Sequence, residues 1–451
     1  MSSDLVSKYN IPAPRYTSYP TVPYWDDNVT QELWTNQIKE SFKKYNKNGI
    51  SLYIHLPYCE SLCTYCACNT RITVNHNVEK PYIDTLLKEW NLYLEQFEAK
   101  PKIKEIHLGG GTPTFFSAQN LKHLISAILS TCDLHKQHDL SFEGHPSNTT
   151  VAHLQTLYDL GFRRVSFGVQ DFDTKVQYTI NRYQTFEEVS LVVNASRAIG
   201  YTSVNVDLVY GLPYQTIQSV KETVKKIVEL KPERIAFYSY AHVPWLKRGQ
   251  RKYTENELPV NSEKRGLYNV GKNLFVEGSY VDIGMDHFSL PGDDLLNAHN
   301  SGTLHRNFMG YTTNTTKLLI GLGCSSISDC WNAFSQNIKT VEEYSQMVDS
   351  GKFPLYKRHM LTKEDLIIRK HILDLMCKHS TDFGVSVSHE KLLNECMSRL
   401  ADFSADGLIE IKNAKLNLTE QGKLFIRNIC MAFDKRYWSK VKKENVFSTT
   451  A

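Results

Sequence analysis

Four of the ten cysteines lie close together, at Cys59, Cys63, Cys66 and Cys68. The first three have the spacing C-x3-C-x2-C and directly follow an apolar run that ends at Pro57. Iron–sulfur clusters are normally held by four cysteine thiolates. Only three share the compact spacing here, so we expect a [4Fe–4S] cluster in which one iron stays open to a ligand. An open coordination position separates a reacting metal centre from a structural one.

Three other uses of these cysteines stay open at this point. Cys68 follows Cys66 closely and could close the cluster as a fourth ligand. Structural zinc is a second use, although its sites usually pair two C-x2-C knuckles and the sequence has no second one. A disulfide is the third, but it needs an oxidising compartment. We favour the cluster.

Short β-rich runs alternate with helical stretches from residue 50 onwards. Such alternation indicates βα units and a parallel sheet. Six or seven consecutive units favour an α/β fold of the (β/α)6-type partial TIM barrel. The predicted strands are 50–56, 103–108, 138–143, 163–169, 203–209, 234–240 and 279–285. The predicted helices are 79–98, 118–131, 150–159, 185–199, 215–230 and 261–277.

Polar and glycine residues repeatedly follow the ends of the predicted strands. In α/β barrels the active site lies at the carboxyl ends of the strands. The glycine triplet 109–111 could be only a tight turn, and we favour close approach to a ligand. Glu143 and Asp207 could be ion-pair partners, or could bind ribose hydroxyls or a cationic sulfonium. The strand-end residues are Gly109, Gly110, Gly111, Thr112, Glu143, Gln170, Asp207, Tyr240, Asp286 and His287.

Three regions are predicted: an N-terminal arm and helix (1–49), a catalytic barrel with an extension (50–350) and a smaller, mostly helical domain (351–451). In the arm, residues 14–21 read as a strap over the core, and the alternative is that Arg15 and the tyrosines reach a ligand. Residues 286–350 are expected to be irregular. A helix at 30–44 is predicted to follow the arm. The C-terminal order resembles a winged helix, with helices at 363–378, 388–402 and 419–433 and a hairpin at 407–411 and 415–418.

The bulk composition is that of an ordinary globular protein. The chain has 451 residues, 41% of them hydrophobic and 22% charged, with a formal net charge of +4. That charge is too small to attract nucleic acid in bulk. The other six cysteines lie among apolar neighbours, as buried free thiols do in a reducing compartment. We therefore expect a cytoplasmic protein with neither a nucleic-acid nor a membrane partner.

The cysteine spacing, with Tyr53 before it and Tyr65 inside it, resembles the cluster loop of the radical S-adenosylmethionine superfamily. Further motifs resemble the oxygen-independent coproporphyrinogen III oxidases, also called coproporphyrinogen dehydrogenases. The resemblance runs from about residue 8 to residue 437. The motifs are residues 14–21, 109–114, 168–172, 206–208, 210–213, 284–288, 305–313 and 427–430.

The resemblance assigns roles to individual residues. Cys59, Cys63 and Cys66 would ligate the [4Fe–4S] cluster, and Cys68 matches a cysteine that is not a ligand. Two S-adenosylmethionine molecules are implied. The first would contact Tyr53, Gly109, Glu143, Ala241 and Ile327. The second would contact Tyr65, Gly110, Gly111, Thr112, Gln170, Arg182 and Asp207. The chain departs from the family pattern at His145 and in the segment after Ile327.

The reaction that the resemblance implies belongs to haem and porphyrin biosynthesis. A 5′-deoxyadenosyl radical from S-adenosylmethionine would abstract a hydrogen from the propionate β-carbon. Loss of carbon dioxide and an electron would turn two propionates of coproporphyrinogen III into vinyl groups, giving protoporphyrinogen IX. Four substrate carboxylates need cationic partners, for which Arg15, His287, His305 and Arg306 are the candidates.

The resemblance also implies an electron-donating partner, and two other functions of related proteins remain as alternatives. An electron-donating reductase or a flavodoxin-like protein would feed the cluster of a monomeric enzyme. A related radical haem-processing enzyme would lack the 14–21 arm. A haem chaperone of the same fold would also lack the arm, and usually has Phe at the position of Cys68.

Overall fold

Strands and helices alternate along the chain in a computed structural model that describes residues 3–27, 29–384 and 390–440. The strands are β1 (Ile50–Leu56), β2 (Tyr58–Cys59), β3 (Arg71–Ile72), β4 (Lys102–Gly110), β5 (Asp133–Gly144), β6 (Arg164–Gln170), β7 (Ser203–Tyr210), β8 (Arg234–Ser239), β9 (Val281–Gly284), β10 (His287–Ser289), β11 (His305–Asn307), β12 (Gly310–Thr312), β13 (Leu319–Leu322), β14 (Ile327–Asp329), β15 (Ala333–Asn337), β16 (Leu355–Met360), β17 (Ser380–Asp382), β18 (Ile409–Lys412) and β19 (Lys415–Leu418).

The helices of the same ranges surround these strands. They are α1 (Ser3–Tyr9), α2 (Gln31–Tyr45), α3 (Glu79–Leu94), α4 (Ala118–Ser130), α5 (Val151–Asp159), α6 (Thr174–Ile180), α7 (Phe186–Ile199), α8 (Ile217–Leu230), α9 (Asn261–Glu277), α10 (Asp294–Asn300), α11 (Val341–Asp349), α12 (Lys363–Lys378), α13 (Glu390–Ala405), α14 (Ile426–Met431) and α15 (Lys435–Lys440). In these ranges no helix is long and apolar enough to cross a membrane.

The largest sheet has the strand order β16-β15-β14-β13-β1-β4-β5-β6-β7-β8-β10-β9. Its central strands β1 and β4 to β8 are parallel neighbours. The register pairs His55 with Gly109 and Gly168 with Asp207, so the carboxyl ends of these strands meet at one edge. The predicted α/β fold with six consecutive parallel units is confirmed.

The predicted seventh unit is absent from the parallel part of the sheet. Its strand is β9, which pairs antiparallel with β10, and β10 pairs antiparallel with β8. A hairpin therefore ends the repeat at this edge. At the other edge β13 runs parallel to β1, and β14 to β16 continue as antiparallel strands.

Threonine caps explain why several helix boundaries were predictable. The side chains of Thr150, Thr185 and Thr216 each accept a hydrogen bond from the N–H three residues on, which satisfies a donor that the first turn would leave free. Helix α7 then ends at Gly200, where the backbone has a φ of 116° that side chains rarely adopt.

The expectation that residues 286–350 are irregular is wrong. This stretch contains β10 to β15, α10 and α11. Its strands are only three to five residues long. Runs so short carry little periodicity, and their pairing with β1 and β8 supplies the order that local sequence lacks.

The C-terminal predictions hold with shifted boundaries. Strands β18 and β19 form the expected hairpin. The helix predicted at 419–433 is replaced at its start by a turn in which the Thr419 hydroxyl donates to Gly407 O, 2.9 Å away, and accepts from Gly422 N at 3.0 Å. A hydroxyl of this kind competes with helical bonding. Of the helix predicted at 388–402, residues 388 and 389 lie outside the described residues, and α13 starts at 390. The sequence missed α6.

The N-terminal arm packs against the C-terminal region. Tyr16 and Tyr19 are each 1% exposed and belong to an apolar core that includes Ile372 and Leu416. This core is separate from the one inside and around the barrel. The arm buries both tyrosine rings in this core, as the strap interpretation predicts. The boundaries at 49 and 350 stay predictions.

Several hydrogen bonds hold the arm to the end of the chain. The Tyr16 hydroxyl donates to Asp434 Oδ2 at 3.0 Å. Arg427 donates to the carbonyls of Ala13 and Pro14. Burial raises the pKa of Asp434 to about 6, so its carboxylate depends on donors such as Tyr16.

The first prediction concerns the bond from Tyr16 to Asp434. Tyr16→Phe leaves a buried carboxylate without one donor, so we expect the free energy of unfolding to fall by about 1–3 kcal/mol. Urea denaturation measures the change. Tyr178→Phe, at a tyrosine that is 67% exposed, is the matched control and should stay within about 0.5 kcal/mol of the parent. Equal losses in the two variants would contradict this role for the Tyr16 hydroxyl.

Candidate active site

The cysteine loop follows β1 and is held in place by neighbouring segments. Thr64 N donates to Ile180 O at 2.9 Å, and Asn181 Nδ2 donates to Leu62 O at 2.9 Å. On the other side, Gln250 Nε2 donates to Tyr65 O at 3.0 Å. The loop is thus fixed between the end of α6 and the segment that follows β8.

The cysteine thiols on this loop differ in their surroundings. Burial raises the pKa of Cys59 to about 11, although Thr112 Oγ1 donates to its sulfur at 3.3 Å. The hydrogen bonds from Cys68 lower the pKa of Cys66 to about 6, helped by the charges of Lys247 and Arg182. Cations and donors beside a thiol favour the thiolate, which is the form that binds metal.

These thiols face a cavity of about 490 Å³ at the carboxyl edge of the sheet. Arg182 reaches into the same region. Its Nη1 lies 3.6 Å from Cys63 Sγ, and its buried Nε has no hydrogen-bond partner among the described residues. Three thiols on one loop, with an adjacent unsatisfied cation, suit an anionic iron–sulfur cluster. In the described ranges no group of three or more His, Cys, Asp or Glu side chains is placed so that it could hold a single metal ion.

The glycine triplet is required by packing. A Cβ on Gly110, whose φ is 116°, would lie 2.6 Å from His55 Nδ1, and one on Gly111 would lie 2.6 Å from Pro57 O. A Cβ on Gly109 would lie 3.1 Å from the Tyr53 ring. Side chains here would push β4 away from β1 and from the cysteine loop. The lack of side chains at the triplet therefore allows the cysteine loop to pack closely against β4. Gly110 and Gly111 also line the cavity.

Glu143 lies at the end of β5, opposite the glycines. Burial would raise its pKa, but hydrogen bonding and charge from His107, 3.4 Å away, hold it below the usual value. Gly110 N also donates to its Oε2 at 3.3 Å. Glu143 is thus an ionised carboxylate at neutral pH, suited to bind a cation or a pair of hydroxyls.

Asp207 lies in the second half of β7 and is the second carboxylate of the cavity. Burial and the negative charge of Glu143 raise its pKa to about 6, against the opposing hydrogen bonds from Ser166 and Asn205. The two carboxylates therefore have pKa values that are pushed in opposite directions. Such a difference is typical of functional sites.

The structure brings most of the sequence-predicted cofactor residues together. Eight of the twelve line the main cavity with the cysteines: Tyr65, Gly110, Gly111, Thr112, Glu143, Gln170, Arg182 and Asp207. Tyr53 and Gly109 lie beside Glu143 on β1 and β4, behind that surface. Ala241 O accepts from Gln250 Nε2 at 3.2 Å. Ile327 pairs with Gln336, and its carbonyl packs against Gly321.

The four candidates for substrate carboxylates are dispersed. Arg15 lines a different cavity, outside the barrel. His287 faces a small cavity of about 110 Å³ deep in the barrel, and burial lowers its pKa to about 4. Arg306 lies over the Tyr311 ring, with Nε and Nη1 unpartnered in the described part of the chain. His305 belongs to the β11–β12 hairpin.

Sequence reasoning missed several residues that line the main cavity. Ser166 precedes Gly168 by two residues on β6, so strand alternation could have found it. His145 was noted only as a departure, yet it lines the cavity, and burial and Arg182 lower its pKa to about 3. Tyr183 and Tyr238 carried no local signal that separates them from packing residues.

Comparison with known proteins yields consistent matches. Residues 53–227 match the radical SAM superfamily. The oxygen-independent coproporphyrinogen III oxidase of Pseudomonas aeruginosa is 36% identical over 451 residues, covering 98% of this chain and 97% of that protein. The protein of the same name from Escherichia coli is 35% identical over 435 residues, covering 95% of this chain and 94% of that protein.

A solved structure agrees with the sequence relatives. It is described as the coproporphyrinogen III oxidase HemN from Escherichia coli, a radical SAM enzyme. It superposes with a TM-score of 0.89 at 34% identity, covering 93% of this chain and 97% of that one.

The second prediction separates the cysteines. Serine at Cys59, Cys63 or Cys66 removes a thiolate that faces the cavity, so we expect each variant to lose most of its iron and sulfide after anaerobic reconstitution. Cys68→Ser should retain the cluster, because Cys68 contributes a backbone N–H to Cys66 Sγ, 3.4 Å away, which the substitution keeps. Iron, sulfide and visible absorption are the measurements. A Cys68→Ser protein as empty as Cys63→Ser would show that Cys68 is a ligand.

Proposed function

Because the chain belongs to the family of oxygen-independent coproporphyrinogen III oxidases, we propose that it converts coproporphyrinogen III to protoporphyrinogen IX. The reaction is the oxidative decarboxylation of two propionates to vinyl groups in haem biosynthesis. The observation that carries the proposal is the convergence of the cysteine loop with Glu143, Gln170 and Asp207 on one cavity. The relatives of the same name cover nearly the whole chain.

Cys59, Cys63 and Cys66 would hold the [4Fe–4S] cluster, and Cys68 would stay outside the ligand set. When bound, the cluster supplies the electron for reductive cleavage of S-adenosylmethionine. The protein's own part is to place that molecule and to stabilise its charges. Arg182 balances the thiolates from one side, since its Nη1 contacts Cys63.

The carboxylates at the strand ends would bind S-adenosylmethionine, which carries positive charge on its sulfonium and amine. Glu143, ionised by His107 and Gly110, would serve the first molecule beside Tyr53 and Gly109. Asp207 would serve a second molecule, together with Tyr65, Gly110, Gly111, Thr112, Gln170 and Arg182. Ala241 and Ile327 complete the first set.

Electrons would enter from the segment that follows β8. Trp245 and Leu246 are 51% and 62% exposed there. Lys247 Nζ donates to Cys68 O at 3.1 Å, which joins this segment to the cysteine loop. Four of the six residues 247–252 are Lys or Arg. A basic surface with an apolar edge suits an acidic reductase or flavodoxin-like donor.

Two further attributes stay predictions from the sequence. One is a monomeric state. The other is a cytoplasmic location, supported by ten cysteines that are all free thiols, six of them buried.

The third prediction tests the reaction directly. The protein, reconstituted anaerobically with iron and sulfide, is incubated with coproporphyrinogen III, S-adenosylmethionine and a reductant. We expect protoporphyrinogen IX and carbon dioxide in a ratio of one to two, and no product without S-adenosylmethionine. Haem binding or haem modification without decarboxylation would instead favour a haem chaperone or a haem-processing enzyme.

The fourth prediction uses the pKa of Asp207. An acid with a pKa of about 6 is mostly protonated at pH 5 and ionised at pH 7. The affinity for S-adenosylmethionine should therefore rise up to about tenfold per pH unit below pH 6 and level off above it. Calorimetric titration of the reconstituted protein measures this affinity.

Asp207→Asn removes the titrating group, so its affinity should be low and independent of pH. Asp159→Asn, at an exposed aspartate on α5, is the matched control and should keep the parent's profile. An unchanged profile in Asp207→Asn would exclude Asp207 as the group responsible.

A further inference from the structure

A second cavity, of about 280 Å³, lies on the outer side of the barrel. It is enclosed by β7 and β8, α9, the turn between β9 and β10, the arm and the C-terminal region. Tyr210 and Ser239 line it, whereas their neighbours Val209 and Tyr238 line the main cavity. The two cavities therefore lie on opposite faces of the same two strand ends.

Positive charge predominates in this outer cavity. Five lysine or arginine residues and three acidic residues line it. Two of the acids form ion pairs with two of the lysines: Lys272 pairs with Asp282 at 2.6 Å, and Lys423 pairs with Glu420 at 2.5 Å. The charges left over are those of Arg15, Arg265 and Arg427 against that of Asp286 alone.

In the part of the chain that the structure describes, none of the three remaining arginines forms an ion pair at 4 Å or less. Arg15 Nη2 donates to Ser239 O at 2.7 Å, and Arg427 donates to carbonyls of the arm. Arg265 lies 5.0 Å from the Tyr268 ring centroid, and its buried Nε has no hydrogen-bond partner among the described residues. Arg427 bonds to the carbonyl of Pro14, the residue before Arg15, and burial and the charge of Arg15 lower the pKa of Arg427 to about 10.

Asp286 does not neutralise this group. Within the described ranges it forms no ion pair at 4 Å or less. Burial raises its pKa, opposed by the charges of Arg15 and Arg427, and its single charge cannot balance three guanidiniums. Like-charged guanidiniums gathered around a cavity are stabilised when an external anion enters.

We propose that the outer cavity binds a carboxylate on an organic molecule, with Arg265, Arg15 and Arg427 as its cationic partners. Guanidinium forks bind carboxylates through paired, charge-assisted hydrogen bonds. Tyr268, Met285 and Leu424 supply apolar walls beside the arginines. An anion carried on an apolar body therefore fits better than a bare inorganic ion.

Two sources could supply this carboxylate. One is a propionate of coproporphyrinogen III that does not react, and this source rests on the proposed function. Since both cavities adjoin the ends of β7 and β8, one macrocycle could place a reacting arm in the barrel and another arm outside it. The other source is a free small dicarboxylic acid.

The test uses the reconstituted enzyme and three variants. Arg265→Met removes the guanidinium, Arg265→Lys keeps the charge without the fork, and Lys225→Met changes an exposed cation on α8 as the matched control. Two probes are titrated: coproporphyrin III by fluorescence, and glutarate by its effect on the melting temperature. In anion-free buffer Arg265→Met should melt no lower than the parent, because it removes one of several like charges.

For a propionate, we expect the Kd of coproporphyrin III to rise about tenfold in Arg265→Met, with partial recovery in Arg265→Lys and no change in Lys225→Met. For a free acid, glutarate should stabilise the parent and Lys225→Met but not Arg265→Met, while coproporphyrin III binds all three equally. If neither probe distinguishes Arg265→Met from the parent, the proposal is overturned, even where the parent makes protoporphyrinogen IX. Failure of the parent to make product contradicts the proposed function instead and leaves the glutarate comparison valid.

Discussion

The position of the cysteine loop depends on its contacts with other segments of the chain. Gly111 packs against Pro57 O, Thr64 N bonds to Ile180 O, and Gln250 bonds to Tyr65 O. These partners come from the end of β4, the end of α6 and the segment that follows β8. Any shift of these three segments would move the thiols relative to Glu143 and Asp207. Cluster position and the carboxylate positions are therefore coupled through the register of one parallel sheet.

That sheet also explains how two carboxylates in one cavity acquire different proton affinities. Glu143 ends β5 and receives His107 and Gly110 N from the neighbouring strand. Asp207 lies in the second half of β7, is hydrogen-bonded by Ser166 and Asn205, and experiences the negative charge of Glu143. Strand order decides which donors each carboxylate meets. The electrostatic difference is thus a consequence of topology, established before any ligand arrives.

The residues that local pattern could reveal are those at strand ends and in the cysteine loop. The spacing of Cys59, Cys63 and Cys66 and the polar residues after each strand predicted one cavity, and the structure brings most of them together. Short strands such as β13 and β14 were missed, because partners far along the chain stabilise them. The outer cavity was equally hidden, since Arg15, Arg265 and Arg427 come from three separate regions and adjoin only after folding. Long-range packing has no signature in a sequence window.

The docking of the arm onto the C-terminal region has a consequence for biosynthesis. Tyr16 and Asp434 are 418 residues apart, and Arg427 lies 414 residues from Ala13. Contacts of such separation form late, and a nascent chain emerges from its N-terminus. While the ribosome makes the barrel, Tyr16 and Tyr19 have no buried partner. A chain that terminates before residue 427 lacks both Arg427 and Asp434, so the arm loses these hydrogen-bond partners. The arm therefore reaches its complete set of contacts only after the C-terminal region has been made.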